Sequence, residues 1–176
     1  MKIILETARV MMRELEAADQ PFVTAMLADP EVMRFWPRPM AAAEAEEWLV
    51  RQQDRYRRDG HGYWLACLRD SGEPIGQVGL LMTDVDAVRE PALGYILQCP
   101  FWGRGLATEA AAGVLAWAAR CGYPRVLCLV RPENIPSLRV AVRLGLLPVR
   151  FVVYQGLNHI VFSTPEGPRL VTTSPA

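Results

Sequence analysis

The sequence predicts an α/β protein, α+β mixed in detail, with one mixed sheet and helices packed on both of its faces. Two observations carry this. Strand-like runs cluster in the middle of the chain and then alternate with helical runs, in the order β-α-α-β-β-β-α-β-α-β-β, with no internal repeat or linker. The 176 residues also suit a single domain, since domains commonly run ~100–200 residues. At 51% hydrophobic and 22% charged residues, the composition is globular and lies outside the charge-rich, aromatic-poor signature of disorder.

Val10 to Glu14 reads as the first strand. A helix follows from about Ala17, with Phe22, Val23, Met26 and Leu27 on one face, Pro21 tolerated in its first turn and Asp29-Pro30 ending it. After the proline-broken segment Phe35 to Pro39, Ala41, Ala45, Trp48, Leu49, Gln52 and Tyr56 recur at helical spacing up to about Arg58. Glu44, Glu46 and Glu47 stand in its first turns and Arg55, Arg57 and Arg58 at its end, as the helix dipole favours. Tyr63 to Leu68 and Ile75 to Met82 are strands joined by the turn-forming Asp70-Ser71-Gly72-Glu73, an antiparallel hairpin. Thr83 to Arg89 reads as a polar loop before a third run, Ala92 to Leu97. The next helix is expected over Ala107 to Cys121, stopped by Gly122. Val126 to Val130 is a short apolar strand, and a helix from about Pro136 to Leu144 is stopped by Gly145. Leu147 to Tyr154 and His159 to Ser163 form a last hairpin around Gln155-Gly156. The domain is therefore placed at residues 1–163, and residues 164–176, with three prolines, read as a flexible tail.

Lys and Arg number 19 against 19 Asp and Glu, so the net charge is zero and a globally basic nucleic-acid binder is excluded. Cys67, Cys99, Cys121 and Cys128 show no C-x-x-C pair, and with two histidines they make no metal-binding spacing; they are expected to be reduced thiols. The N-terminal Met1 to Leu5 is too short for a secretory segment, and the apolar run Ala110 to Ala119 is well short of the ~20 residues that span a bilayer. These point to a cytoplasmic protein without metal, membrane or nucleic-acid partners, monomeric or homodimeric.

The informative stretch runs from Gly94 to Ala110. A strand enters a turn with Gly103 and Gly105, and small residues open a helix. Such a turn aims backbone N–H groups at one point beside a helix N-terminus, an anion site suited to a diphosphate. The dinucleotide fingerprint fails because Thr108 stands where a third small residue is needed and no acid follows at the expected distance; the Walker loop fails for want of a Lys-Ser/Thr pair. From Phe101 to Arg150 there are seven arginines and two acids, a net +5 balanced by −5 elsewhere, which favours an anionic ligand on this half.

The strand Leu93-Gly94-Tyr95, the segment Phe101 to Ala110, the pair Asn134-x-x-Ser137 and the helix end Leu144-Gly145 together resemble the GNAT acyltransferase superfamily, specifically its RimJ/RimL-like branch. The resemblance covers nearly the whole chain. It implies a splayed, mostly antiparallel sheet gripping acetyl-CoA as co-substrate. Gly103, Arg104, Gly105, Leu106, Ala107 and Thr108 would hold the pyrophosphate, Tyr95, Ile96 and Leu97 would pair with the pantetheine amides, and Asn134 would hydrogen-bond near them. Trp102 stands where the superfamily often has Gln or Arg.

Acyl transfer needs an unprotonated amine, a partner for the thioester carbonyl and an acid for the departing thiolate. Where many relatives have a catalytic Tyr, this chain has Ala141, and Ser137 is the expected substitute. Relatives often have Glu at the position of Ala92; Glu90, two residues earlier on the same strand face, is the candidate base, acting through a water. Cys99 has no activating neighbour in sequence, so an acyl-cysteine route is not expected. Phe35, Trp36, Tyr63 and Trp64 are candidates to line the acceptor site, and His159 sits where relatives often have His-Asp. The implied activity is N-acetylation of a primary amine, a protein N-terminus or a small amine, through a ternary complex. The alternative is a non-catalytic acyl-CoA-binding or regulatory module, motivated by Ala141 and Ala92.

Overall fold

A computed structural model describes residues 2–165 of the chain. Its strands are β1 (Ile3–Glu6), β2 (Val10–Arg13), β3 (Tyr63–Leu68), β4 (Pro74–Val85), β5 (Val88–Leu97), β6 (Leu127–Val130), β7 (Leu147–Tyr154) and β8 (Leu157–Ser163). The α-helices are α1 (Gln20–Ala28), α2 (Ala42–Asp59), α3 (Leu106–Arg120) and α4 (Ile135–Arg143). One sheet of eight strands has the order β1-β2-β3-β4-β5-β6-β8-β7, antiparallel throughout except where β5 meets β6. This is the mixed, mostly antiparallel sheet that the sequence predicts.

Side-chain alternation along the strands sorts the core into two layers. On β3, Leu65 and Cys67 pack with Val23, Met26 and Leu27 of α1 and Ala45 and Leu49 of α2, while Trp64 and Ala66 pack with Ala110, Ala111, Val114 and Ala118 of α3. Each large apolar side chain buried this way contributes about 1.5–3 kcal/mol. A third cluster, Val85, Ala92, Leu127, Val152 and Val161, fills the β7–β8 end. Arg13 and Asp19 lock the start of the first helical segment to β2 through two bonds of 2.7 Å. Burial works against the Asp19 carboxylate, but the Arg13 guanidinium holds its pKa below the ordinary range.

The structure corrects three expectations. Ile3–Glu6 is a strand that pairs with β2, whereas the reading began at Val10. The segment expected as a loop, Thr83 to Arg89, belongs almost entirely to β4 and β5, which pair in unbroken register out to Val85↔Val88. Asp86 and Ala87 close that hairpin with φ of 51° and 63°, the two-residue geometry normally announced by Asn-Gly. Finally, Thr164 is held against the sheet, donating its N–H to Val126 O and accepting from Val126 N, each at 3.0 Å. The rest of the expected tail, residues 166–176, lies outside the described residues. All four cysteines are free, and no helix among the described residues is long and apolar enough to cross a membrane.

Candidate active site

The site begins as a fault in the sheet. β5 and β6 run parallel and share one register pair, Ala92↔Leu127, beyond which the strands diverge. Gln98 donates its N–H to Ile75 O, so the antiparallel alternation assigns Ile96 and Gly94 to the β4 ladder and turns the N–H and C=O groups of Tyr95 and Leu97 toward the gap. One of these is occupied: Trp102 Nε1 donates to Leu97 O at 2.7 Å.

Two cavities open on the gap, of about 410 and 250 Å³. Phe35, Trp36, Tyr95, Asn134 and Ser137 line both, so the two meet at these residues. The loop carrying Phe35 is pinned there by Arg131 of the β6–α4 connection, whose Nη1 donates to Phe35 O at 3.0 Å.

The larger cavity is walled by the glycine turn. Gly103 and Gly105 adopt φ of 71° and 77°, a left-handed conformation that side chains resist, and an added Cβ at Gly103 would meet nothing within 4 Å. The turn therefore has glycine for its backbone shape, and it delivers the unpaired first-turn amides of Leu106, Ala107 and Thr108 of α3 to the cavity wall. Arg34, Arg139 and Arg143 also line this cavity, and no Asp or Glu does. Sequence reasoning counted Arg139 and Arg143 without singling them out, and Arg34 lay outside the stretch that it counted. The i,i+4 spacing of Arg139 and Arg143 on α4 was the available signal. Glu109, one turn into α3, is structural: it accepts from Thr7 Oγ1, Arg9 N and Arg9 Nε, each at 2.7 Å. Burial raises its pKa, but these three bonds outweigh that and keep it below the ordinary range.

At the junction, Asn134 caps α4, its Oδ1 accepting from Ser137 N at 3.1 Å. With the cap supplied by Asn134, the Ser137 hydroxyl is left for other work, and it lies 2.6 Å from the Tyr95 hydroxyl. Tyr95 Oη also reaches Ser137 O at 3.2 Å. Tyr95 therefore bridges β5 and α4 across the gap. Burial pushes its pKa well above the ordinary phenol, so it stays a neutral donor and acceptor.

A sequence model of the acetyltransferase (GNAT) domain matches residues 9–147. The chain belongs to the GNAT acetyltransferase family. An uncharacterized protein, YkkB of Bacillus subtilis, is 29% identical over 147 residues, covering 82% of this chain and 86% of that one. The solved acetyltransferase of Agrobacterium tumefaciens is 27% identical with a TM-score of 0.79, covering 94% of this chain and 95% of that one. In fold the chain also resembles Mycobacterium smegmatis RimJ in complex with CoA-disulfide, at 21% identity and a TM-score of 0.72, covering 88% and 80%.

Among the GNAT-motif residues, Tyr95, Ile96, Leu97, Gly103, Gly105, Leu106, Ala107, Thr108, Asn134 and Ser137 are brought to one cavity. Arg104 is not among its lining residues; its guanidinium lies 5.6 Å from the Phe101 ring centroid. Ala141, which the resemblance sets at the place of a catalytic tyrosine, is fully buried.

The acceptor side departs further from expectation. Phe35, Trp36 and Tyr63 line the smaller cavity. Trp64 does not: neighbours on a strand face opposite ways, and Trp64 is fully buried against Trp117 of α3, with ring centroids 5.0 Å apart. Glu90 lines neither cavity. It lies 3.2 Å from Arg125 and 3.5 Å from Arg150, which hold its carboxylate in an ion-pair cluster. Tyr63 stacks on Trp48 and crosses Gly94 so closely that a Cβ there would lie 2.3 Å from its hydroxyl. Gly94 is thus required by the aromatic wall. The residues that sequence reasoning missed are Trp48 and Arg55 of α2, Tyr154 of β7, and Arg131 of the β6–α4 connection. His159, which it noted, also lines the cavity; its Nδ1 donates to Leu157 O at 2.9 Å, so in the neutral ring Nε2 is the acceptor nitrogen.

Proposed function

We propose that this protein is an N-acetyltransferase of the RimJ/RimL-like branch that moves an acetyl group from acetyl-CoA directly to a primary amine in a ternary complex. One observation carries the reading: two cavities of different chemistry meet at a hydroxyl pair, Tyr95–Ser137, inside the break between β5 and β6. The larger suits the co-substrate. Its glycine turn and free α3 amides fit a diphosphate, Arg139 and Arg143 add positive charge, and the Tyr95 N–H and C=O and the Leu97 N–H offer a strand edge to an amide-bearing arm. Asn134 Nδ2 is the donor left free by its capping bond.

Acetyl-CoA supplies an activated acyl group. Ser137 is the residue placed to protonate the departing sulfur, with Tyr95 returning a proton to Oγ along their hydrogen bond and the proton that leaves the amine replacing it through solvent, so that both hydroxyls end neutral. Free N–H groups at the gap face the carbonyl oxygen. Glu90 is withdrawn from the role of base by Arg125 and Arg150, and His159 Nε2 is the imidazole acceptor available to the amine. Positioning of both reactants supplies much of the acceleration. The catalytic unit is the domain within residues 1–163, working in the cytoplasm as a monomer or homodimer.

The test is release of free CoA thiol from acetyl-CoA across a panel of amines and N-terminal peptides. Turnover on an amine is the expected result. Acetyl-CoA binding without turnover on any amine would favour a non-catalytic acyl-CoA-binding module, and absence of CoA binding in a thermal-shift titration would overturn both readings.

A further inference from the structure

The acceptor cavity has an unusual charge pattern. Its lining includes Arg55, Arg131 and His159, and no Asp or Glu. Arg131 already has a carboxylate, donating from Nη2 to Glu133 at 2.8 Å. Arg55 has none: its hydrogen-bond partner among the described residues is the neutral Gln52 Oε1 at 3.2 Å. Gln52 is itself fully buried and fixed, its Oε1 also accepting from Tyr63 N and its Nε2 donating to Trp48 O. The guanidinium is therefore held at the cavity wall by a rigid neutral group, beside the Tyr63 and Tyr154 rings. Burial lowers its pKa and Arg58 and Arg51 oppose the charge further, while Tyr63 and Tyr154 support it in part; no carboxylate in the cavity lining compensates it.

From this geometry we infer that the amine acceptor carries a carboxylate held by Arg55, and that it is a free α-amino acid with an apolar or aromatic side chain. The inference rests on the N-acetyltransferase reading of the site. A planar guanidinium matches a carboxylate through paired donors. Phe35, Trp36, Trp48 and Tyr63 supply an aromatic wall for the rest of the molecule, in about 250 Å³.

The test compares L-phenylalanine, L-leucine and glycine with their α-amides by thiol release at fixed acetyl-CoA. The acids are expected to exceed their amides in kcat/KM by about 10–100-fold, the range of a charge-assisted hydrogen bond. Arg55→Gln should collapse that ratio toward one, and Arg55→Lys should retain part of it. Binding of N-acetyl-L-phenylalanine and its amide to the wild-type protein with CoA, followed by calorimetry, gives a readout that needs neither turnover nor a variant. Tighter binding of the acid is expected. Amides or carboxyl-capped peptides used as well as the acids would overturn the inference while leaving the acetyltransferase reading intact. Equal binding of acid and amide products would overturn it as well, whereas failure of every amine with preferential binding of the acid would overturn the catalytic reading and retain the carboxylate site.

Discussion

The Tyr95–Ser137 contact predicts a specific non-additivity. If Ser137 is the group that protonates the departing sulfur, Ser137→Ala should lower kcat by about 100-fold, the low end of general-acid effects. The Tyr95 hydroxyl reaches the reaction through Ser137 Oγ, over 2.6 Å in a buried setting. Tyr95→Phe deletes this bond together with the longer one to Ser137 O, and the loss of the bond to Oγ, about 1–1.5 kcal/mol, should cost about 5–13-fold in kcat. With the serine already gone, the tyrosine hydroxyl has nothing left to relay. The double variant should therefore be no slower than Ser137→Ala alone, a coupling of about 1–1.5 kcal/mol in a double-mutant cycle. The assay is single-turnover thiol release at saturating amine, with thermal midpoints to confirm that each variant folds. Tyr95→Phe costing as much in the Ser137→Ala background as in wild type would refute the relay, and unchanged kcat in Ser137→Ala would remove the serine from the chemistry.

Three further outcomes follow from other parts of the molecule. His61 is buried between Leu80 O and the Tyr123 hydroxyl, at 2.8 and 2.9 Å, and burial lowers its pKa despite the Leu80 bond; the unfolded chain therefore takes up a proton first, stability is fully present above the unfolded value of ~6.5 and falls below it. Urea midpoints between pH 7.5 and 5.5 should decline in wild type and stay level in His61→Gln. Gly94→Ala drives a methyl against the Tyr63 ring and should cost about 1–3 kcal/mol as overpacking; the same change made in a Tyr63→Ala background should cost much less, and an equal loss there would show that the clash is elsewhere. His159→Gln should lower kcat/KM, and a kcat/KM unchanged by the substitution would exclude the imidazole as proton acceptor.

The central strands, the four helices and the glycine turn were legible because their signals are local: period-two and helical spacing, glycine stops, and a strand running into small residues. β1 was missed because Ile3-Ile4-Leu5 has no alternation, and on this edge strand only Leu5 is buried while Ile3 and Glu6 are exposed. The arm of β4 and β5 beyond Met82 was missed because Asp86 and Ala87 adopt positive φ without the glycine or asparagine that normally marks such a turn. At the site, backbone-defined residues were legible and side-chain roles were less so. Tyr63 and Trp64 cannot both face one cavity, yet which of them does depends on which layer each helix occupies. Arg55 was counted as a helix-dipole partner, and only the tertiary arrangement brings it against Tyr63 and Tyr154. Glu90 occupied the right strand face but met Arg125 and Arg150, which no spacing announces.

The single register pair between β5 and β6 has a consequence for how the molecule breathes. A continuous sheet distributes its cooperativity through every rung of the ladder, whereas here the β6–β8 segment is joined to β1–β5 by one rung, by packing and by side-chain contacts such as those of Glu90 and Tyr95. Amides on the diverging edge, Tyr95 and Leu97 among them, have no ladder partner to slow their exchange with solvent. A co-substrate laid along that edge supplies the missing rungs. Binding then does more than position an acyl group: it extends one cooperative unit across the whole sheet, and the hydrogen-exchange protection it confers should spread into β6 and β8, which the ligand need not touch.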